Sequence, residues 1–268
     1  MRLHREAATD PTNPAPPPAA GGALPWIYTV SARGKPARTP VLRFLREGFG
    51  HIPLARIDSV FGFVERCTLY GGRLFERPQL TDEDVHALRR FGIGLRLPMT
   101  NHSASRKEYD SYRPLFEKYH ARGNSVIVTC DSLARWLRQD YPLYQIEASV
   151  IKNINSHARL EKAMNLYDTV VLPMELNQDL AFLEKAEPKA RITLFANAGC
   201  ALTCPSKTCY ASVSKLNKFT GEGEFLCSQP LKERELLGMV DFDLDTLGAL
   251  GYTRFKLLRP RPGGMTGH

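Results

Sequence analysis

Short strand-like segments alternate along this chain with helix-patterned stretches, and that rhythm limits the folds open to it more than any other feature. Strand patterns occupy residues 57–61, 94–97, 125–129, 144–148, 169–172, 191–196 and 254–257. Between them, apolar residues recur at three- and four-residue spacing. Tyr109, Tyr112, Leu115, Phe116 and Tyr119 form one stripe, Leu160, Ala163, Met164 and Tyr167 a second, and Leu244, Leu247 and Leu250 a third. Thr81-Asp-Glu-Asp84 reads as a capping box with an acidic first turn, and the helix that it opens should stop near Gly92. Further helices are expected at 132–139, near 179–185 and after Pro205. Strands separated by helices pair in parallel, because each crossover helix lies on a face of the sheet. Seven or eight such units predict an α/β protein with a TIM-like (β/α) barrel, parallel strands inside and helices outside, either whole or incomplete and distorted. An open doubly wound sheet is the competing architecture, but no Gly-x-Gly-x-x-Gly follows a strand here.

Residues 1–25 are rich in proline, alanine and glycine and are expected to form a disordered tail. Residues 26–259 are then a single barrel domain, and 260–268, opening Pro260-Arg-Pro-Gly-Gly264, a flexible C-terminal tail. A hydrophobic content of 43% is ample for a buried core. No apolar run approaches the roughly 18 residues of a membrane span, and the N-terminus lacks the apolar stretch of a secretory signal. A cytoplasmic location follows as the expectation. The net charge of +8 favours anionic partners, either a small anionic or aromatic metabolite or RNA. The basic residues are dispersed, however, as in Arg89-Arg90 and Arg254, Lys256, Arg259 and Arg261, which equally suits an ordinary solvated surface.

Four of the six cysteines, Cys200, Cys204, Cys209 and Cys227, crowd into one stretch directly after the strand at 191–196. Four thiolates suit a 4Fe-4S cluster or tetrahedral zinc, since sulfur holds both soft centres better than oxygen does. The gaps of three, four and seventeen residues are unlike the close C-x-x-C knuckles of most zinc modules and point towards iron and sulfur. Zinc, or thiols that simply pack in the core, are the alternatives. Clustered cysteines in a reducing compartment bind metals more often than they form disulfides.

In a barrel, active-site groups sit at the C-terminal strand ends. Those ends supply Asn101, Cys130, Glu147, Ser149, Glu175, Asn177, Asn197 and Cys200. Glu175, Ser149, Asn197 and Asn101 are the candidate catalytic or pocket residues, and Cys200, Cys204, Cys209 and Cys227 the candidate ligands. Pro205 is placed to begin a helix whose N-terminus would stabilise a thiolate-ligated centre.

The segments Ile57-Asp-Ser-Val-Phe-Gly62, Tyr70-Gly-Gly-Arg73, Glu147-Ala-Ser149, Leu172-Pro-Met-Glu-Leu-Asn177, Asn197-Ala-Gly-Cys200 with Cys204-Pro205, and Gly251-Tyr-Thr-Arg-Phe-Lys256 occur in an order that resembles the U32 family of collagenase-like peptidases. Members of known role are iron-sulfur proteins of oxygen-independent hydroxylation, acting on the ubiquinone ring or on RNA bases, some with prephenate as the supposed oxygen donor. The resemblance implies that Cys200 and Cys204 ligate the cluster and that Glu175, Ser149 and Asn197 line the pocket beside it. A prephenate-like donor becomes a candidate partner. The chain departs from the family pattern after the Cys-Pro pair, where Lys207, Cys209 and Tyr210 replace a basic residue followed by histidine. Cys227 is the expected fourth ligand, with Cys67 as the alternative.

Two other readings stand beside this one. A non-catalytic subunit that binds RNA or a protein partner would use the cysteines to pin a loop, with the proline-rich N-terminus as a tether. A true peptidase would need a nucleophile and a histidine base, for which His102 with Cys130 or Ser149 is the available set; His157 opens a helix instead. No His-Glu-x-x-His motif exists for a zinc protease, and no Cys-x-x-x-Cys-x-x-Cys for S-adenosylmethionine radical chemistry.

Overall fold

Eight parallel strands close into a barrel in a computed structural model that describes residues 26–204, 206–229 and 239–258. The two expected tails and the helix start at Pro205 lie outside the described residues. In chain order the strands are β1 Ile27–Ser31, β2 Ile57–Phe61, β3 Gly94–Met99, β4 Ser125–Val128, β5 Gln145–Ala148, β6 Thr169–Val171, β7 Ile192–Phe195, β8 Asn197–Ala198, β9 Val240–Asp241 and β10 Arg254–Leu257. Around the barrel the order is β1-β10-β7-β6-β5-β4-β3-β2, so the eighth position belongs to β10. β8 and β9 form a separate antiparallel pair, Asn197 opposite Asp241 and Ala198 opposite Val240. The cysteine-bearing segment is therefore an insertion between β7 and β10 that leaves and returns through a short antiparallel stem.

All seven strands read from the sequence are present, and β1 is an addition. Its pattern Ile-Tyr-Thr-Val-Ser carries two hydroxyl residues that face into the barrel, where Thr29 Oγ1 lies 3.1 Å from Ser59 Oγ. Those hydroxyls dilute the apolar signal. The expected helix through Tyr109 and Tyr119 is two, α3 Arg106–Ser111 and α4 Arg113–Lys118, broken at Tyr112. Pro114 has no N–H to continue the first helix, and so it begins the second. Helix α1, Val41–Gly48, was not legible either, whereas α2, Asp82–Arg90, has the capping box as read, with Thr81 Oγ1 accepting from the Asp84 N–H at 3.2 Å.

The two-residue period of the strands separates two environments. Val30, Val60, Leu95, Leu97, Val126, Val128, Ile146, Val170, Ile192, Leu194 and Phe255 point outwards and are buried against the helices. Each contributes roughly 1.5–3 kcal/mol by leaving water. The inward set is polar towards the floor. Fully buried Arg96 donates from Nη1 to Glu147 Oε2 at 2.5 Å, from Nη2 to Asp58 Oδ2 at 3.1 Å and from Nε to Ser59 Oγ at 3.0 Å. Thr169 Oγ1 donates to the same Glu147 oxygen at 3.0 Å. Glu147, one of the strand-end candidates, is thus a floor residue below the mouth. Burial alone would push its carboxyl up, but Arg96 first, with Lys256 and Arg254, holds it below the ordinary range.

Candidate functional site

The C-terminal strand ends open into a cavity of about 110 Å³. Phe61, Pro98, Ile127 and Phe195 come from the strands, and the insertion contributes Cys200, Cys204, Cys209 and Cys227. Four thiols carried by the turn after β8, the first turn of the helix Thr208–Leu216 and the segment beyond that helix therefore line one cavity. Burial, followed by Cys227, Cys200 and Cys204, pushes the Cys209 thiol up to about 11. A protonated Cys209 at neutral pH means that metal uptake there must release its proton. The Lys207 backbone N–H donates to Cys204 Sγ at 3.2 Å, and Cys204 Sγ lies 3.1 Å from Ser228 Oγ. The backbone donor suits a thiolate.

Ser149 lines the same cavity as expected, buried, its Oγ accepting from the Ile151 N–H at 3.2 Å. Glu175 sits on the short turn Met174–Gln178 and is exposed; its Oε1 accepts from Lys207 Nζ at 2.9 Å, and Lys207 lines the cavity. Glu175 thus reaches the site through its lysine.

The two asparagines are placed otherwise. Asn197 Nδ2 donates to the Leu258 carbonyl at 3.0 Å while its Oδ1 accepts from the Leu258 N–H at 2.8 Å, which ties the end of β10 to β8. Asn101 Nδ2 donates to the carbonyls of Thr68, Tyr70 and Ser214 at 2.9, 3.1 and 2.8 Å, joining the glycine loop to the helix Thr208–Leu216. Both are among the buried residues and neither is among the cavity-lining side chains, so they act as brackets that hold the mouth together. Asn177 is a bracket too, donating to the Phe195 carbonyl at 2.6 Å.

Cys67 is corrected as an alternative fourth ligand. It is fully buried in the apolar core, 3.9 Å from Met99 Sδ, does not line the cavity, and is pushed by burial up to about 12. Cys130 also lies off the cavity, directed at the His102 carbonyl at 3.1 Å. His102 Nδ1 lies 2.8 Å from Ser214 Oγ, and His157 stacks on Phe182.

Three basic groups that line the cavity were not singled out as site residues: Arg73, Lys207 and Lys256. Arg73 follows two glycines whose need is visible in the structure. A Cβ on Gly71 would lie 2.2 Å from the Thr100 carbonyl oxygen, and Gly72 has φ +70°. The loop can therefore press against β3 and swing Arg73 over the Phe61 ring, 5.1 Å from its centroid. Gly71→Ala should cost about 1–3 kcal/mol by forced displacement of the loop, measured as a shift in urea midpoint at unchanged slope. For Lys256, the signal was its strand parity, two residues beyond the inward-facing Arg254.

No protein-family model matches the sequence, and no curated protein matches it. Among solved structures, the chain aligns with one titled "The Structure of the U32 Peptidase Mk0906", with a TM-score of 0.59 and 13% sequence identity over 92% of this chain and 97% of that one. The chain shares the fold of a U32 peptidase. This supports the U32 relationship read from the sequence segments, and at such identity the likeness is one of fold. No helix among the described residues is long and apolar enough to cross a membrane.

Proposed function

We propose that this chain is a U32-type barrel protein whose insertion holds a 4Fe-4S cluster, and that it acts in oxygen-independent hydroxylation of a small molecule or an RNA base. The observation that carries the reading is the convergence of Cys200, Cys204, Cys209 and Cys227 on one cavity at the barrel mouth. Among the described residues, no three His, Cys, Asp or Glu side chains stand close enough to hold one metal ion. Four thiolates at the rim suit a 4Fe-4S cluster, which spreads its ligands over several irons, and tetrahedral zinc is the alternative. Cys200, Cys204, Cys209 and Cys227 would be its ligands, and it would supply one-electron chemistry beside the substrate. The protein's own groups do the rest. Lys207, Arg73 and Lys256 offset the negative charge of thiolates and of an anionic substrate, and Phe61, Ile127 and Phe195 keep water low around an aromatic or apolar body.

Anaerobic reconstitution with iron and sulfide, followed by visible and electron paramagnetic resonance spectra, tests the cluster. A brown protein with a reducible signal is expected, and a colourless protein that takes up zinc in preference to iron overturns the reading. Comparing RNA and metabolite extracts from cells with and without the protein for a one-oxygen mass difference then tests the reaction. A subunit that only binds RNA or a partner would show no such difference. Peptidase chemistry draws little from the geometry, since the His102–Ser214 pair lies off the cavity and the Ser214 hydroxyl is buried.

A further inference from the structure

The least expected group in the mouth cavity is Lys256. It is carried by the last barrel strand, is 8% exposed and borders the cavity floor beside Phe61 and Phe195. Among the described residues its ammonium has no hydrogen-bond acceptor and no carboxylate within ion-pair distance; what it touches is the Phe61 ring, 4.4 Å from the centroid. Glu147, the nearest acidic influence, already gives Oε2 to Arg96 and Thr169. Burial is costly for an ammonium so placed. It lowers Lys256 to about 8 against the upward pull of Glu147, with Arg96 and Arg73 lowering it further. The other ionisable groups on this cavity are Arg73, Lys207, Tyr210 and the four cysteines. A desolvated amine near other cations, open to an apolar pocket, is the setting in which lysine becomes a nucleophile.

We propose that Lys256 is a carbonyl-binding lysine, whose amine condenses with the keto carbon of a 2-oxo acid seated in the mouth cavity while Arg73 receives the carboxylate. Lys256 and Arg73 stand over the same Phe61 ring, at 4.4 and 5.1 Å from its centroid, so both cations border the space that such a molecule would fill. The apolar wall suits the remainder of the acid. In the condensation the amine nitrogen attacks the carbonyl carbon, the carbonyl oxygen departs as water with the two amine protons, and a neutral imine remains. No electrons are exchanged. This inference rests on the reading of the cavity as a small-molecule site, but not on the cluster.

The test is reductive trapping on the full-length protein, both as purified and after iron-sulfide reconstitution. Pyruvate and phenylpyruvate are added with cyanoborohydride, whose hydride reaches the carbon of the imine once its nitrogen has taken a proton from water, leaving a stable secondary amine, and the modified peptide is located by mass spectrometry. The expected label is on Lys256, with a rate that rises through pH 8. At pH 7 the neutral fraction of such an amine exceeds that of an ordinary lysine by roughly two orders of magnitude. Lys256→Arg should abolish that label, and Lys152→Arg, at a lysine paired with Asp131 outside the cavity, should leave it. Lys256→Met, with folding checked by circular dichroism, guards against an arginine that distorts the floor. Labelling spread over surface lysines with Lys256 unmodified overturns the proposal, as does equal protection of Lys256 by chloride and by 2-oxo acid, which would make it a plain anion-binding cation. Trapping without iron uptake refutes the cluster alone; iron uptake without trapping refutes the amine alone.

Discussion

Arg96→Met is expected to destabilise the fold by about 3–5 kcal/mol, because it removes one partner of a buried ion pair and leaves the other in place. Arg96 is the only described cation in hydrogen-bond contact with Glu147, and it also joins Asp58 and Ser59, so three strands lose their common tie. Urea unfolding at neutral pH measures the loss. The pH dependence separates this cause from mere loss of packing. In the parent, Glu147 is held below its unfolded value of about 4.3 by Arg96, which outweighs burial. Its contribution is therefore complete above that pH and is lost as pH falls through the lower folded value. In Arg96→Met, burial acts with less opposition and shifts the carboxyl upwards, so protonation in acid favours the folded variant. The stability gap between parent and variant should then narrow as pH falls towards 4. A gap independent of pH would mean that the guanidinium acts through its volume alone.

Cys204→Ser and Cys67→Ser should separate the two kinds of cysteine in this chain. Cys204 borders the mouth cavity with a backbone N–H directed at its sulfur, so its loss is expected to take iron uptake and visible absorption to near background at little cost to the apoprotein. Cys67 lies sealed against Met99 in the core. Serine there brings a hydroxyl into apolar surroundings at a cost of about 1–3 kcal/mol, while iron uptake stays at the parental level. Iron content and urea midpoint, measured on both variants, give opposite patterns if the cavity thiols bind the cluster. Equal iron in all three proteins would remove Cys204 from the ligand set.

The barrel was legible because β-strand and helix periods differ, and each strand of this chain carries outward-facing residues such as Val126, Val128, Ile192 and Leu194 that must be covered. β1 was less so, since Thr29 and Ser31 spend their hydroxyls inside the barrel, where sequence alone shows only polarity. That the four clustered cysteines lie together was legible in their spacing, and that Ser149 lines the same cavity was legible in its strand end. Asn101 and Asn197 have the same local signature as Ser149, yet they serve as brackets. An amide with both a donor and an acceptor satisfies backbone groups of two loops at once, and nothing local to the chain reveals which loops will be neighbours.

What the sequence by itself determined is the alternation that demands a parallel barrel and the thiol-rich segment after its seventh strand, both properties of spacing along the chain. Only the tertiary structure decided that Cys67 is core and Cys227 is mouth, that Glu147 belongs to Arg96, and that Lys256 faces a ring instead of a carboxylate. Those distinctions depend on which distant strands close beside one another, and burial and charge pairing exist only after that closure.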